Sequence, residues 1–456
     1  MSRVNDSPDP GSTPCASDEP VGWLARIVLI NRHEWPAVLA SFVYFFFLLF
    51  SYYILRPVRD EMGIRGGVEN LQWLFTATFV AMLLAVPLFA ALATHFRRAV
   101  LLPVVYGFFI VCIGGFWLWM ESDLAMTWAA RVFFVWLSVF NLFVVSVFWS
   151  FMADIFDDRQ AARLFAAIAA GGSAGAILGP GLTGLLAQIM APLHLLPIAG
   201  VSLALTLPCI WAVQHWRPSS TNGKPATRNS PDRPLGGTLL EGVQAIRRSR
   251  YLGGICAFIW LYTTLATFLY FAQADIVSRT FTDSGDRTSV FAALDFATNT
   301  VTVGLQLFVT ARLVRSFGLD RTLALIPVVV AVGFVCLALT PVLITLLVFQ
   351  LLRRAGNYAI AKPGREMLFT VIPRMEKYKA KNVIDTVVYR GGDALAGWVY
   401  SGLAMQGLGL TGISWVAVPI ALGWATIGFR LGQAQSARAT RLHTTTERME
   451  KPHDPT

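Results

Sequence analysis

Runs of about twenty mostly apolar residues recur along this chain, each long enough to cross the hydrocarbon core of a bilayer as a helix. Twelve can be drawn, the first six beginning near Pro36, Leu71, Ala99, Trp128, Leu164 and Leu193, and the second six near Tyr251, Val290, Thr322, Val342, Lys381 and Gly412. Inside lipid the backbone must satisfy its own polar groups, so runs of this length predict an all-α membrane protein. Composition agrees: only 14% of the 456 residues are charged, against about 25% in an ordinary soluble chain. Residues 1–20 are polar and rich in Pro, Ser and Asp, which predicts a disordered tail rather than a signal peptide. An amphipathic stretch from Val21 to His33 follows and is expected to lie at the membrane interface.

A net charge of +10 in a soluble chain would suggest a nucleic-acid partner, but here the basic residues alternate with the spans. They crowd at Arg97 and Arg98, Arg159 and Arg163, Arg217 to Arg250, Arg312 to Arg321, Lys362 to Lys381, and Arg438 to Lys451. The intervening loops hold chiefly Arg65, Arg279 and Arg287. By the positive-inside rule both termini are cytoplasmic, which suits a bacterial inner membrane. The expected partners are the lipid bilayer and a small-molecule substrate, with no nucleic acid. The six histidines and five cysteines are scattered, and neither an HExxH nor a P-loop is present. No catalytic residue, metal or cofactor is therefore assigned, and the chain is not read as an enzyme.

A Pro/Ser/Gly-rich linker, 215–236, separates an N-terminal half (21–214) from a C-terminal half (237–433), with 434–456 as a tail. The halves resemble each other in places. RRAVLLPVV around Pro103 matches DRTLALIPVV around Pro327, and Gly171-Gly172-Ser173-Ala174 matches Gly391-Gly392-Asp393-Ala394, at offsets of 224 and 220. Repeated six-span halves with a site between them are a transporter signature.

An ionised side chain at bilayer centre costs about 2.5–3.5 kcal/mol on insertion scales, so such residues are expected to face protein or water. In the first span, Tyr52, Arg56, Arg59 and Asp60 share a face, and two guanidiniums there form an anion grip. The eighth carries Asp295, Asn299, Thr302 and Gln306 as a polar stripe, suited either to lining a lumen or to bonding a neighbouring helix. Around the end of the tenth, Lys362, Arg365 and Glu366 stand out within a mostly cytoplasmic rim. In the eleventh, Asp385, Tyr389 and Asp393 fall at i, i+4 and i+8, with Arg390 able to neutralise Asp393. Substrate binding is assigned to Tyr52, Arg56, Arg59, Asn299, Arg365, Glu366, Tyr389 and Arg390. Asp60, Asp295, Asp385 and Asp393 are the candidates for proton coupling.

The loop ARLVRSFGLDRTL, after the eighth span, resembles the basic Gly/Arg loop of the major facilitator superfamily. That likeness implies twelve helices in two pseudo-symmetric six-helix halves. Three further segments resemble the bacterial and plastid ATP/ADP translocases: Tyr53-Ile54-Leu55-Arg56-Pro57-Val58-Arg59-Asp60; Phe148-Trp149-Ser150-Phe151 with Ala161-Ala162-Arg163-Leu164-Phe165; and Arg365-Glu366-Met367 through Ile384-Asp385-Thr386-Val387. The resemblance implies exchange of nucleotides, with Arg59 in place of a family lysine and Arg365-Glu366 in place of its Lys-Glu pair. Pro57 and Asp393 depart from the pattern, since the family has an acidic residue and a lysine there. The expected function is secondary active transport by alternating access, for nucleotides or another organic anion. The alternatives are proton-coupled transport of an unrelated solute, and a transporter-like sensor or lipid-handling protein.

Overall fold

The computed structural model describes residues 31–95, 98–216 and 239–450. Twelve long helical segments follow one another in the described residues: α1 (Trp35–Arg65), α2 (Leu71–His95), α3 (Arg98–Glu121), α4 (Met126–Ile155), α5 (Asp158–Leu186) and α6 (Leu195–Ala204 continued by Thr206–His215); then α7 (Arg250–Thr280), α8 (Ser284–Phe308), α9 (Thr310–Leu339), α10 (Leu343–Gly356 extended to Leu368), α11 (Arg374–Val383 extended to Met405) and α12 (Leu410–Glu450). Ten of these segments contain stretches long and apolar enough to span a membrane. The other two, α10 and α11, are broken by π-helical turns at Asn357–Ala361 and Ile384–Val388 and carry several charges. Such turns are frequent at functional sites. Helix α12 continues to Glu450, so residues 434–450, read as a tail, extend the last span as helix. The tail 1–20, most of the stretch from Val21 to His33, 217–236 of the linker and the first two residues of the C-terminal half lie outside the described residues.

Local chemistry sets several boundaries. At the start of α5, Asp157 accepts from the Gln160 amide at 2.8 Å while the Gln160 side chain accepts from the Asp157 amide at 3.2 Å, a reciprocal cap. Just before α1, Glu34 accepts from Gln160 and Arg163, both at 2.9 Å, and so ties the starts of α1 and α5 together. Burial pushes the Glu34 carboxyl up, but the donations from Arg163 and Gln160 outweigh it and hold the group below its ordinary value. Gly318, at φ 76°, supplies the left-handed turn by which α9 changes direction.

Two large cores form. One surrounds Tyr44, Leu48, Phe133 and Phe148 in α1–α6, and the other surrounds Phe258, Phe268, Phe334 and Trp424 in α7–α12. A small third cluster of Leu71, Leu74, Phe134, Phe271 and Ala274 packs across the seam between them. The internal repeat has a structural basis. A Cβ on Gly171 or Gly172 of α5 would collide with Phe42 or Phe45 of α1, and one on Gly392 of α11 would collide with Thr263 of α7. In each half a glycine of the fifth helix thus lets it press against the first.

The starts of α1 and α7 and the ends of α6 and α12 share one face of the molecule, called here the terminal face. Among the described residues, the hydrogen bonds and ion pairs joining the halves lie between helix mid-length and the opposite, distal face. Arg287 of α8 clamps Glu61 of α1 through two bonds of 2.6 and 2.7 Å, and Trp398 of α11 donates to Thr76 of α2 at 3.0 Å. Ser289 donates to the Gly184 carbonyl at 3.3 Å, and Asn299 to that of Ala176 at 2.6 Å. Toward the terminal face the halves part around a cleft of about 480 Å³, lined by Phe45, Gly172, Thr302, Gln306 and Lys362.

A candidate substrate site between the halves

A polar cavity of about 190 Å³ lies between the halves, near mid-length of α7, α10 and α11 and against Arg56, Arg59 and Asp60 in the last third of α1, in the part of the fold where a transporter site is expected. Its wall carries Arg56, Arg59, Arg353, Arg354 and Arg390 together with Asp60 and Asp393. Asp295, 1% exposed, accepts from Arg354 and lies 3.5 Å from Arg56. With the carboxylates ionised, five guanidiniums face three aspartates, so the site keeps two positive charges in excess. Aromatic side chains complete the wall: Phe75, Tyr262, Tyr270, Tyr358 and Tyr389. Tyr358 also lines the cleft, so cavity and cleft adjoin.

The arginines are not equivalent. Arg56 and Arg354 share Asp295, and Arg390 lies 3.7 Å from Asp393. Arg59 has no carboxylate partner among the described residues; its guanidinium carbon sits 4.2 Å from the centre of the Phe134 ring, and its buried Nε makes no hydrogen bond. Arg353 has no carboxylate there either. It donates twice to Gln350 Oε1, at 2.8 and 3.3 Å, and Gln350 in turn donates to Gln273. A chain of neutral amides thereby fixes the direction of Arg353 without neutralising it. Arg59 belongs to the first half and Arg353 to the second, so guanidiniums with no ion pair of their own face the cavity from both sides of the seam, with Asp60 and Asp393 in the same wall near enough to feel their charge.

Of the residues assigned from sequence, Arg56, Arg59, Asp60, Tyr389, Arg390 and Asp393 line this cavity, and Asp295 is joined to it through Arg56 and Arg354. Asp60 accepts from Tyr270 at 3.0 Å, and Asp393 from Thr267 at 3.3 Å. Tyr52 is not part of the cavity wall and packs on Tyr53 and Phe140; Tyr53 takes the cation–π contact with Arg56. Asn299 lines the cleft and bonds α5. Arg365, Glu366 and Asp385 form a separate cluster nearer the terminal face, where Arg365 lies 3.6 and 3.8 Å from the two carboxylates and Lys381 2.6 Å from Glu366. The expected face shared by Asp385, Tyr389 and Asp393 is interrupted, because the π-helical turn Ile384–Val388 changes the rotation between Asp385 and the other two. Sequence reading passed over Arg353, Arg354, Gln350, Gln273, Tyr262 and Tyr358. Counting about ten residues in from Leu343 would have placed both arginines at mid-membrane.

Asp295 is the hinge of this charge balance. Replacing it with Asn leaves Arg56 and Arg354 buried without their counter-charge, at a cost of about 3–5 kcal/mol. The Asp295→Asn protein should melt roughly 3–5 °C lower in detergent, and a saturating polyanion should recover much of that loss. Unchanged melting would contradict the pairing.

The comparisons with known proteins agree with this architecture. The ADP,ATP carrier protein 1 of Chlamydia muridarum (strain MoPn / Nigg) is 22% identical over 462 residues, covering 85% of each chain. Its counterpart from Chlamydia trachomatis serovar D is likewise 22% identical, covering 85% of this chain and 86% of its own. Among solved structures, a mutant of the nucleoside transporter NupG superposes with a TM-score of 0.59 at 12% identity, over 88% of this chain and 99% of that one. The family model described as Major Facilitator Superfamily matches residues 38–352. With twelve long helical segments among its described residues and a polar site between two halves, the chain belongs to the Major Facilitator Superfamily and is a secondary transporter.

Proposed function

We propose that this transporter exchanges organic phosphates, nucleotides first among them, across a membrane in which its terminal face is cytoplasmic. The observation that carries the reading is the pair Arg59 and Arg353, two guanidiniums in one cavity with no carboxylate assigned to either. A polyanion is the ligand that such a pair lacks, since guanidinium forks match phosphate oxygens bidentately. The tyrosines around the cavity add flat surfaces suited to a base, and the two Chlamydia relatives are named as ADP,ATP carriers. Bound between Arg59 of one half and Arg353 of the other, the anion draws the halves together, and its binding energy thereby biases the rocking equilibrium. The chain acts by transport rather than catalysis.

Asp393 motivates a second reading. It lines the cavity with one ion pair of 3.7 Å and one hydroxyl donor, an arrangement suited to a proton carrier for another solute. Reconstituted vesicles separate the two. Exchange predicts that vesicles loaded with ADP take up labelled ATP without a proton gradient, and that empty vesicles do not. Uptake that collapses with an uncoupler and in Asp393→Asn would instead support proton coupling.

A further inference from the structure

Outside the transport path a groove of about 1110 Å³ runs along the flank of the first half, between α2, α3 and α4. Its floor on α2 is made by Ala77, Ala81 and Ala85, spaced by four and so on one face, with Phe108 and Val132 among the walls. The lining runs from Asn70 to Leu92, which at 1.5 Å per residue is roughly the full hydrocarbon thickness. A gap of this size facing the bilayer does not stay empty, because its walls would lose their dispersion contacts.

The polar groups of the groove are gathered at one end. Among the described residues Arg131 is the one charged side chain in the lining, and Asn70 joins it there with Trp73 and Trp128. Both tryptophans are exposed, at 58% and 62%, and exposed indoles mark the headgroup level of a membrane protein. Arg131 lies 5.2 Å from the Trp128 ring centre and donates through Nε to the Gly66 carbonyl at 2.8 Å. That single bond fixes its position, and both Nη groups are left without a partner in the described residues. A fixed guanidinium with two free donors at headgroup depth, continued by an apolar trough, has the shape of a phospholipid: phosphate at one end, acyl chain below it.

We propose that this groove is a phospholipid site, with the lipid phosphate held by Arg131 and an acyl chain laid along Ala77, Ala81 and Ala85. A second copy of the chain would bury the trough equally well, but would need a carboxylate or other acceptor for Arg131. A neutral apolar partner helix would leave that guanidinium unmatched.

The test uses purified full-length protein, stripped of lipid in detergent and titrated with phosphatidylglycerol or with diacylglycerol, counting bound lipids by native mass spectrometry. Wild type should retain one phosphatidylglycerol at least tenfold more tightly than it retains diacylglycerol. Ala81→Trp, which fills the trough, should lower binding of both at least tenfold. Arg131→Gln should lower phosphatidylglycerol to the level of diacylglycerol and leave diacylglycerol unchanged. Ala81→Trp binding both lipids as wild type does would overturn the proposal even if Arg131→Gln misfolds. So would a wild-type dimer that Ala81→Trp splits into monomers, since the groove would then be an interface between copies.

Discussion

Arg59→Ala should lower polyanion affinity and uptake by roughly 100-fold, while its melting temperature stays at or above that of wild type. The first half of this expectation follows from charge-assisted hydrogen bonding: a bidentate contact to phosphate contributes about 3 kcal/mol, or two decades of affinity. The second half follows from burial. A guanidinium without a counter-ion is a desolvated charge that the empty protein tolerates at a cost. Arg59 rests on the Phe134 ring with its buried Nε unbonded and forms no ion pair among the described residues, so its removal relieves a desolvation cost without breaking a salt bridge. Asp295→Asn should behave in the opposite way, because there a partner is taken from two cations. Measuring uptake and melting on the same two preparations checks both signs. An Arg59→Ala protein that transports normally, or that loses several kilocalories of stability, would show that Arg59 is structural.

Breaking the Glu61–Arg287 clamp should move the transporter toward a distal-open state. Glu61 is completely buried and Arg287 is 11% exposed, and the two are joined by both nitrogens of the guanidinium fork. Arg287 also donates to the carbonyls of Phe281 and Thr282, at 3.0 and 2.8 Å, which holds the fork toward α1. In Glu61→Gln the guanidinium stays buried but loses its counter-charge, a penalty of about 3 kcal/mol or more that falls on the closed state alone. Once the distal face opens, water solvates both groups and the penalty disappears. A shift of that size changes the ratio of the two states roughly 100-fold. A cysteine at Thr267, beside the cavity, should then react far faster with an impermeant thiol reagent added from the distal side. Equal labelling in wild type and Glu61→Gln would mean that the seal is held elsewhere, for instance by Trp398 and Thr76.

The architecture was legible because its cause is one-dimensional. Span length and the placement of Arg and Lys are properties of the chain read in order, and the likeness of Gly171-Gly172 to Gly391-Gly392 reports the same close helix contact in both halves. The first-helix part of the site was legible for a similar reason: Arg56, Arg59 and Asp60 are scarce ionic groups inside an apolar run, and all three face the cavity. Pairing across the seam was not. Glu61 and Arg287 are 226 residues apart, and nothing local distinguishes Arg287 from an ordinary loop cation. The π-helical turns are a second limit. A 3.6-residue period carried through Ile384–Val388 puts Asp385 beside Tyr389 and Asp393, whereas the wider turn leaves it with Arg365. Arg353 and Arg354 are hard to place from sequence because a basic pair late in an apolar run suggests the interface, although a helix beginning at Leu343 is only half-way through the membrane there.

The transport reading stands or falls on whether Arg59 of one half and Arg353 of the other, neither with an ion pair of its own among the described residues, together seat the substrate. A cryo-electron microscopy structure of the full chain with ADP bound addresses it most directly. Phosphate density should lie between Arg59 and Arg353, with the Gln350 and Gln273 amides still holding Arg353 in place. Density confined to the cluster of Lys362, Arg365 and Lys381, with Arg59 and Arg353 touching nothing, would contradict it.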